Sequence, residues 1–162
     1  GADIGQPTSF FVGCALNLTP KNPEDEIKNL RRKIRAGADF ILSQPVFQPE
    51  AAEAFVKCYT DEHGPLGIPI LAGVLPLNSV RHATFLNNEV PGISISDTIL
   101  ERLRRAADGG DERGAAREGV RIAVELIEQM RSFAQGIYLM PQFNRYDLAA
   151  DIVEACKANQ PK

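Results

Sequence analysis

Asn22-Pro23-Glu24-Asp25-Glu26-Ile27-Lys28-Asn29-Leu30-Arg31-Arg32-Lys33-Ile34-Arg35-Ala36-Gly37-Ala38-Asp39-Phe40-Ile41-Leu42-Ser43-Gln44 reads as a helix followed at once by a strand. Asn22 is placed to cap the first free amides, and Pro23 suits the first helical position, where no hydrogen bond is lost. Glu24 and Asp25 fall in the first turn, where the helix dipole favours negative charge. Ile27, Leu30 and Ile34 form one apolar stripe, while Lys28, Arg31, Arg32 and Arg35 occupy the other faces. Gly37 is the natural left-handed terminator. Phe40 to Gln44 then stays apolar through three residues without alternating, as a strand buried on both faces does. That pattern belongs to parallel sheets.

The alternation extends in both directions. Upstream, Phe10-Phe11-Val12-Gly13-Cys14 is the expected first strand. Downstream, Gln48-Pro49 opens a helix with Ala52, Phe55, Val56 and Tyr59 on one side, broken at His63-Gly64-Pro65. Ile68 to Leu75 is the third strand, interrupted by Pro69 and Gly73. Ser79 caps a short helix reaching Phe85 and Leu86, and Ser96-Asp97 begins another. After a turn at Asp108-Gly109-Gly110-Asp111, Val120, Ala123, Val124, Ile127 and Met130 mark a long helix. Gly136 to Met140 is the fourth strand. Leu148, Ala149, Ile152, Val153 and Cys156 mark the last helix, and the tail from Asn159 is expected to fray. Residues 1–162 therefore read as a single α/β domain of four βα units. The connections are long enough for parallel crossovers. Four such units make either a small open sheet or half of an eight-stranded barrel.

Composition narrows the function. Lys plus Arg total 18 against 21 Asp plus Glu, a net charge of −3, which gives no electrostatic reason for nucleic acid or an anionic membrane as partner. Hydrophobic residues at 44% and charged residues at 24% are the mix of a globular domain. No apolar run approaches the roughly 18 to 20 residues of a spanning helix, and no secretory signal is visible. Three scattered cysteines, Cys14, Cys58 and Cys156, do not form a disulfide framework and suit a reducing, cytoplasmic setting. The chain opens on Gly1-Ala2-Asp3 without Met and reads as a piece of something longer.

The chemical motifs are sparse. The Gly-dense stretch from Gly109 to Gly114 joins two helices, so it is no dinucleotide loop, and no Walker loop occurs. His and Cys never fall at metal-ligand spacing, so no metal site is expected. His63 and His82 read as surface residues, and Cys14 and Cys156 as small core residues. The unusual polar groups cluster instead at the C-terminal ends of the strands: Gln44, Asn78, then Gln142, Asn144 and Arg145. That edge is where parallel α/β folds bind ligands. An amide such as Gln44 can donate and accept toward a heterocycle, or simply satisfy loop backbone. Arg145, expected in a helical first turn, is disfavoured there by the dipole. It is thus a ligand candidate, or else the ion-pair partner of Asp147 or Asp151. Asn29, Arg32 and Lys33 lie close on their helix and could hold a pyrophosphate, or form an ordinary solvated face.

Taken in order, Asn29 to Phe47, Ala72-Gly73-Val74-Leu75-Pro76 and Gly136 to Arg145 resemble the flavin-dependent methylenetetrahydrofolate reductases. The opening from Gly5 to Cys14 and the segment Phe85 to Ile93 look closest to a branch fused behind a homocysteine S-methyltransferase domain. That resemblance implies a (β/α)8 TIM barrel of which this chain is the second half, strands five to eight. It implies an oxidoreductase of one-carbon metabolism and methionine biosynthesis. Such an enzyme carries FAD and uses NAD(P)H to reduce 5,10-methylenetetrahydrofolate to 5-methyltetrahydrofolate. By position, Gln44 would bind the folate pterin and Arg145 would lie by the folate or the nicotinamide nucleotide. Glu26, Asn29, Arg32 and Lys33 would contact FAD, Glu26 standing where the family tends to have Asp. Two departures stand out. Where many reductases carry an aromatic residue after the Leu-Pro of the third strand, this chain has Val80. The family's catalytic acid, a Glu on an early strand, and an Asp near the flavin fall outside the matching stretch, so no catalytic residue is assigned.

These readings lead to an enzyme piece inactive by itself. The alternatives are a small flavin- or folate-binding module without catalysis, and a structural unit whose polar strand ends only satisfy loops. A barrel cut in two exposes edge strands and an apolar interior, so self-association is expected.

Overall fold

The computed structural model describes residues 5–6, 9–107 and 112–158. The turn expected at Asp108 to Asp111 and the tail from Asn159 lie outside them. The described residues form β1 (Gly13–Leu16), α1 (Pro23–Arg35), β2 (Phe40–Pro45), α2 (Pro49–His63), β3 (Ile70–Val74), α3 (Val80–Glu89), α4 (Asp97–Ala106), α5 (Glu112–Met130), β4 (Gly136–Leu139) and α6 (Tyr146–Ala158). All neighbouring strands are parallel, in the sheet order β1-β2-β3-β4. The expected parallel α/β class holds.

Local chemistry sets most boundaries. The Asn22 side chain accepts from the Asp25 amide, and Ser79 and Ser96 cap α3 and α4 by accepting from His82 and Ile99. Gly37 leaves α1 with φ +96, a conformation a side chain would resist. The first strand differs from expectation. Phe10 and Phe11 are 79% and 74% exposed and precede it, and pairing begins at Gly13. Val12 instead exchanges hydrogen bonds with Asp39: its amide donates to Oδ2 at 2.7 Å, and its carbonyl accepts from the Asp39 amide at 2.7 Å. The third strand is shorter than expected because Pro69 has no amide to donate. Its carbonyl still accepts from Ile41 at 2.9 Å.

The strand order runs in one direction with no switch point. Right-handed crossovers then bring the helices to one face of the sheet. On that face Leu16, Ile41, Ser43, Ile70, Ala72 and Val74 are buried. Packed against them are Leu30 of α1, Phe55 and Tyr59 of α2, Leu103 of α4 and Met130 of α5. On the opposite face Phe40, Leu42, Leu71, Tyr138 and Met140 are only half-buried. Phe11 stacks there on Phe40, ring centroids 5.2 Å apart. Glycines make room on this face: a Cβ at Gly13 would stand 2.5 Å from the Phe40 ring, and one at Gly136 would stand 2.6 Å from Leu71 Cδ2. The sheet thus has one covered face and one open, apolar face.

α5 is the central helix of the covered layer. Two features hold it. Arg102 of α4 donates to Glu118 and Glu125 of α5, and Arg121 donates to Glu118. Gly119 lets the helix backbone close on the loop after β3, since a Cβ there would lie 1.7 Å from the Leu77 carbonyl oxygen. In an open helix Gly→Ala is stabilising by about 1 kcal/mol. At Gly119 the sign reverses: Gly119→Ala is expected to lower unfolding stability by about 1–3 kcal/mol or more, because helix and loop must separate. Urea denaturation checks this, and an unchanged midpoint would contradict the close approach.

Candidate functional site

The C-terminal ends of the strands are built around a defect in β2. The β2–β3 pairing loses register between Leu42 and Pro45, because Pro45 cannot donate to a ladder. Ser43 repairs the gap. Its buried Oγ accepts the Gly73 amide at 2.9 Å and donates to the Gln44 carbonyl at 2.7 Å. The ladder resumes where the Val46 amide meets the Gly73 carbonyl at 3.0 Å. The Ser43 carbonyl is thereby released, and it accepts the Tyr138 hydroxyl from β4. Tyr138 crosses β3 to do so, which Gly73 permits: a Cβ there would lie 3.1 Å from the Tyr138 hydroxyl and 2.9 Å from the Ser43 carbonyl oxygen. Burial pushes the Tyr138 phenol up, keeping it a neutral donor. This irregularity presents Gln44 at the strand end. Gln44 is exposed, and among the described residues its side-chain amide has no hydrogen-bond partner. The alternative that it satisfies loop backbone is not realised.

A second arm of the site follows β4. The chain turns through Gln142, Phe143, Asn144 and Arg145, closed by the Arg145 amide donating to the Gln142 carbonyl at 3.1 Å. Phe143 and Asn144 both take left-handed backbone, φ 55 and 59. Arg145 stands immediately before α6 rather than in its first turn. It makes the expected ion pair, its Nε and a terminal nitrogen meeting the Asp147 carboxylate at 2.9 and 2.7 Å. The hydrogen bond from Arg145 holds the Asp147 carboxyl below its ordinary range. Beside this turn, Asn78, Ser79, Arg113, Arg117, Arg145 and Asp147 help line a cavity of about 580 Å³. A larger apolar groove, about 640 Å³, lies between α5, α6 and the start of β4, away from the polar strand ends.

The third arm is α1 beside the end of β1. Lys33 Nζ donates to the Ala15 carbonyl at 2.7 Å, and Glu26 accepts the Asn17 amide at 3.1 Å. Arg32 donates to Asn29 Oδ1 at 3.1 Å. Glu26, Asn29 and Lys33 are half-buried along this side of the helix, with Arg32 exposed beside them. The four residues form one polar ridge at the β1 edge, whereas Gln44 belongs to the next strand and Arg145 to the far end of the sheet.

Two expectations need correction. His82 is not a surface residue: it is 6% exposed, under the turn after β4. Cys14 and Cys156 are half-buried, at the sheet edge and the outer groove, not in the closed core. Ser43, Gly73 and Tyr138, which create the strand-end geometry, carried no motif; Gln44-Pro45 was the sequence signal that a ladder bond would be missing there.

The fold and the strand-end polar groups define a singly wound parallel α/β domain with a polar rim at the strand C-termini. The methylenetetrahydrofolate reductase family pattern matches residues 10–157, and the chain belongs to that family. It is similar to Methylenetetrahydrofolate reductase 2 of Schizosaccharomyces pombe, 29% identical over 119 residues, covering 72% of this chain and 18% of that protein. It is also similar to Methylenetetrahydrofolate reductase 1 of the same organism, 27% identical over 136 residues, covering 79% of this chain and 21% of that protein. The chain spans about a fifth of the length of these curated relatives. Among solved structures it resembles an uncharacterized protein from Clostridium thermocellum that binds two copies of 5-methyl-5,6,7,8-tetrahydrofolic acid. That match has a TM-score of 0.60 and 19% identity, covers 83% of this chain and 48% of that one, and is a likeness of fold. No helix of the described residues is long and apolar enough to cross a membrane.

The Tyr138–Ser43 tie is directly testable. Gly73→Ala is expected to push Tyr138 off the Ser43 carbonyl and cost about 1–3 kcal/mol. It should also move the Gln44 amide resonance; an unshifted resonance in a folded variant would separate Gln44 from this geometry.

Proposed function

We propose that this chain is the second half, strands five to eight, of a (β/α)8 barrel in a flavin-dependent methylenetetrahydrofolate reductase. On this reading it supplies one wall of the folate and FAD sites. The observation that carries the reading is the open apolar face ending in an unpaired amide, Gln44, within a chain of this family. A barrel interior is such a face, and its ligands sit at the C-terminal strand ends. The folate bound by the Clostridium thermocellum protein supports the ligand class.

Gln44 would pair with the mixed donor and acceptor edge of the pterin, for which an amide without competing partners is suited. Arg145, with Arg113 and Arg117 in the adjoining cavity, would face an anionic group of the folate or of NAD(P)H. The α1 ridge fits FAD in its chemistry. Arg32 and Lys33 offer positive charge and Asn29 an amide for a pyrophosphate, and Glu26 an acceptor for ribose hydroxyls. Lys33, tied to the Ala15 carbonyl, is already turned toward the end of β1. The chemistry FAD would supply is relay of a hydride from NAD(P)H to the methylene carbon of 5,10-methylenetetrahydrofolate, giving 5-methyltetrahydrofolate. That reaction needs an acid to activate the electrophile. The family resemblance places this acid on an early strand outside the matching stretch, so the chain alone is expected to show no turnover. The open face and the edges of β1 and β4 would pair with a second copy.

The test is titration of the purified chain with FAD and, separately, with 5-methyltetrahydrofolate, read by fluorescence. Lys33→Ala should weaken FAD alone, and Gln44→Ala should weaken folate alone by about tenfold, the worth of one lost polar contact. Folate affinity unchanged in Gln44→Ala would remove Gln44 from the site, and tight folate binding without FAD binding would favour a simple folate-binding module. Light scattering of the same sample should show species larger than a monomer; a monodisperse monomer across a broad concentration range would contradict self-association.

A further inference from the structure

The least explained polar group among the described residues is His82. The residue is only 6% exposed, and Nδ1 accepts the Asn78 amide at 3.4 Å. The proton of the neutral ring is therefore on Nε2. Nε2 is fully buried and meets no hydrogen-bond partner. Burial pushes the imidazole below its ordinary range, while Gln142 close by pulls the other way. The Gln142 side chain is thus within reach of the ring, though not in a geometry that satisfies Nε2. Leaving a buried N–H unpaired is costly, and such a donor needs an explanation.

What surrounds it supplies one. The ring meets Phe143 edge-on, centroids 5.6 Å apart. Phe143 is itself 73% exposed and left-handed, as is Asn144. Two consecutive non-glycine residues in that conformation are strained and persist only where neighbours hold them. The Arg145 amide is bonded to the Gln142 carbonyl. His82 therefore touches the first half of the very turn that carries Arg145. It is anchored in turn, through Asn78 and the Ser79 cap, to the loop that α5 presses upon at Gly119.

We propose that His82 is a positioning residue for Arg145: its buried imidazole, accepting the Asn78 amide at Nδ1 and standing beside the Gln142 side chain and Phe143, holds the strained Gln142–Arg145 turn. The idea rests on the folate-binding reading only for the expected change in ligand affinity. The turn is held by His82 whether or not the isolated chain binds ligand. The role needs a polar side chain that accepts from the Asn78 amide and reaches toward Gln142, which glutamine can imitate and leucine cannot.

Nuclear magnetic resonance of the chain and two variants, with 5-methyltetrahydrofolate as the probe, tests this. In the wild type the imidazole nitrogen shifts should report the Nε2–H tautomer, and the carbon shifts of Phe143 and Asn144 should report left-handed backbone. His82→Leu should lose the left-handed shifts, alter the Arg145 Nε resonance and bind the probe about tenfold more weakly. His82→Gln should retain all three. A purely structural His82 would lower stability in both variants yet leave the turn and Arg145 unchanged in whatever remains folded. An Nδ1–H tautomer in the wild type would overturn the proposal, as would an unaltered turn in folded His82→Leu. If His82→Leu does not fold, loss of the left-handed shifts in His82→Gln would overturn it, and their retention would support it. If the wild type binds no folate, the folate reading fails, and the turn shifts still decide the role of His82.

Discussion

A parallel sheet wound in one direction can bury only one face with its own crossover helices. That constraint governs this molecule. The order β1-β2-β3-β4 brings the crossover helices to one side, where Leu16, Ile41, Ser43, Ile70, Ala72 and Val74 are buried. The other side is left with Phe40, Leu42, Leu71, Tyr138 and Met140 half in water. The open face is no accident of side-chain choice, since glycines at 13, 73 and 136 are needed there for large neighbours to lie across the sheet.

The polar rim depends on the same face. Pro45 removes one ladder bond, Ser43 substitutes its hydroxyl, and the released carbonyl takes the Tyr138 hydroxyl across Gly73. One missing amide thus ties three strands together at the end where Gln44 stands. At the far side of the rim, Gly119 sets how closely α5 approaches the loop after β3, and that loop supports His82 beneath the turn of Arg145. The covered layer therefore reaches the polar rim both through the close backbone approach at Gly119 and through Arg113 and Arg117 of α5, which line the cavity beside Arg145.

How much of this could be read from sequence depends on range. Asn22-Pro23, Gly37, Ser79 and Ser96 announced their helix boundaries, because capping is settled within four residues. The parallel class was legible in the unalternating Phe40-Ile41-Leu42. The first strand was placed too early, since Phe10-Phe11-Val12 has the composition of a buried strand and only tertiary contacts show that it precedes the ladder. His82 was misread for a related reason. A lone histidine in a short helix gives no local sign that a turn some 60 residues later will close over it. Gln44 and Arg145 were singled out as candidates because polar residues at strand ends are conspicuous. Ser43 and Tyr138 were not, because their bond exists only through the register of three strands.

On the reading proposed above, folate would meet the open face where it ends at the strand C-termini. The most direct measurement is residue-by-residue mapping of backbone amide shifts as 5-methyltetrahydrofolate is added to the chain. The predicted result is a contiguous set of perturbations at Gln44, Tyr138 and the turn from Gln142 to Arg145, with α2 and the groove between α5 and α6 silent. Perturbations confined to that outer groove, around Ile127, Ile152 and Cys156, would contradict it.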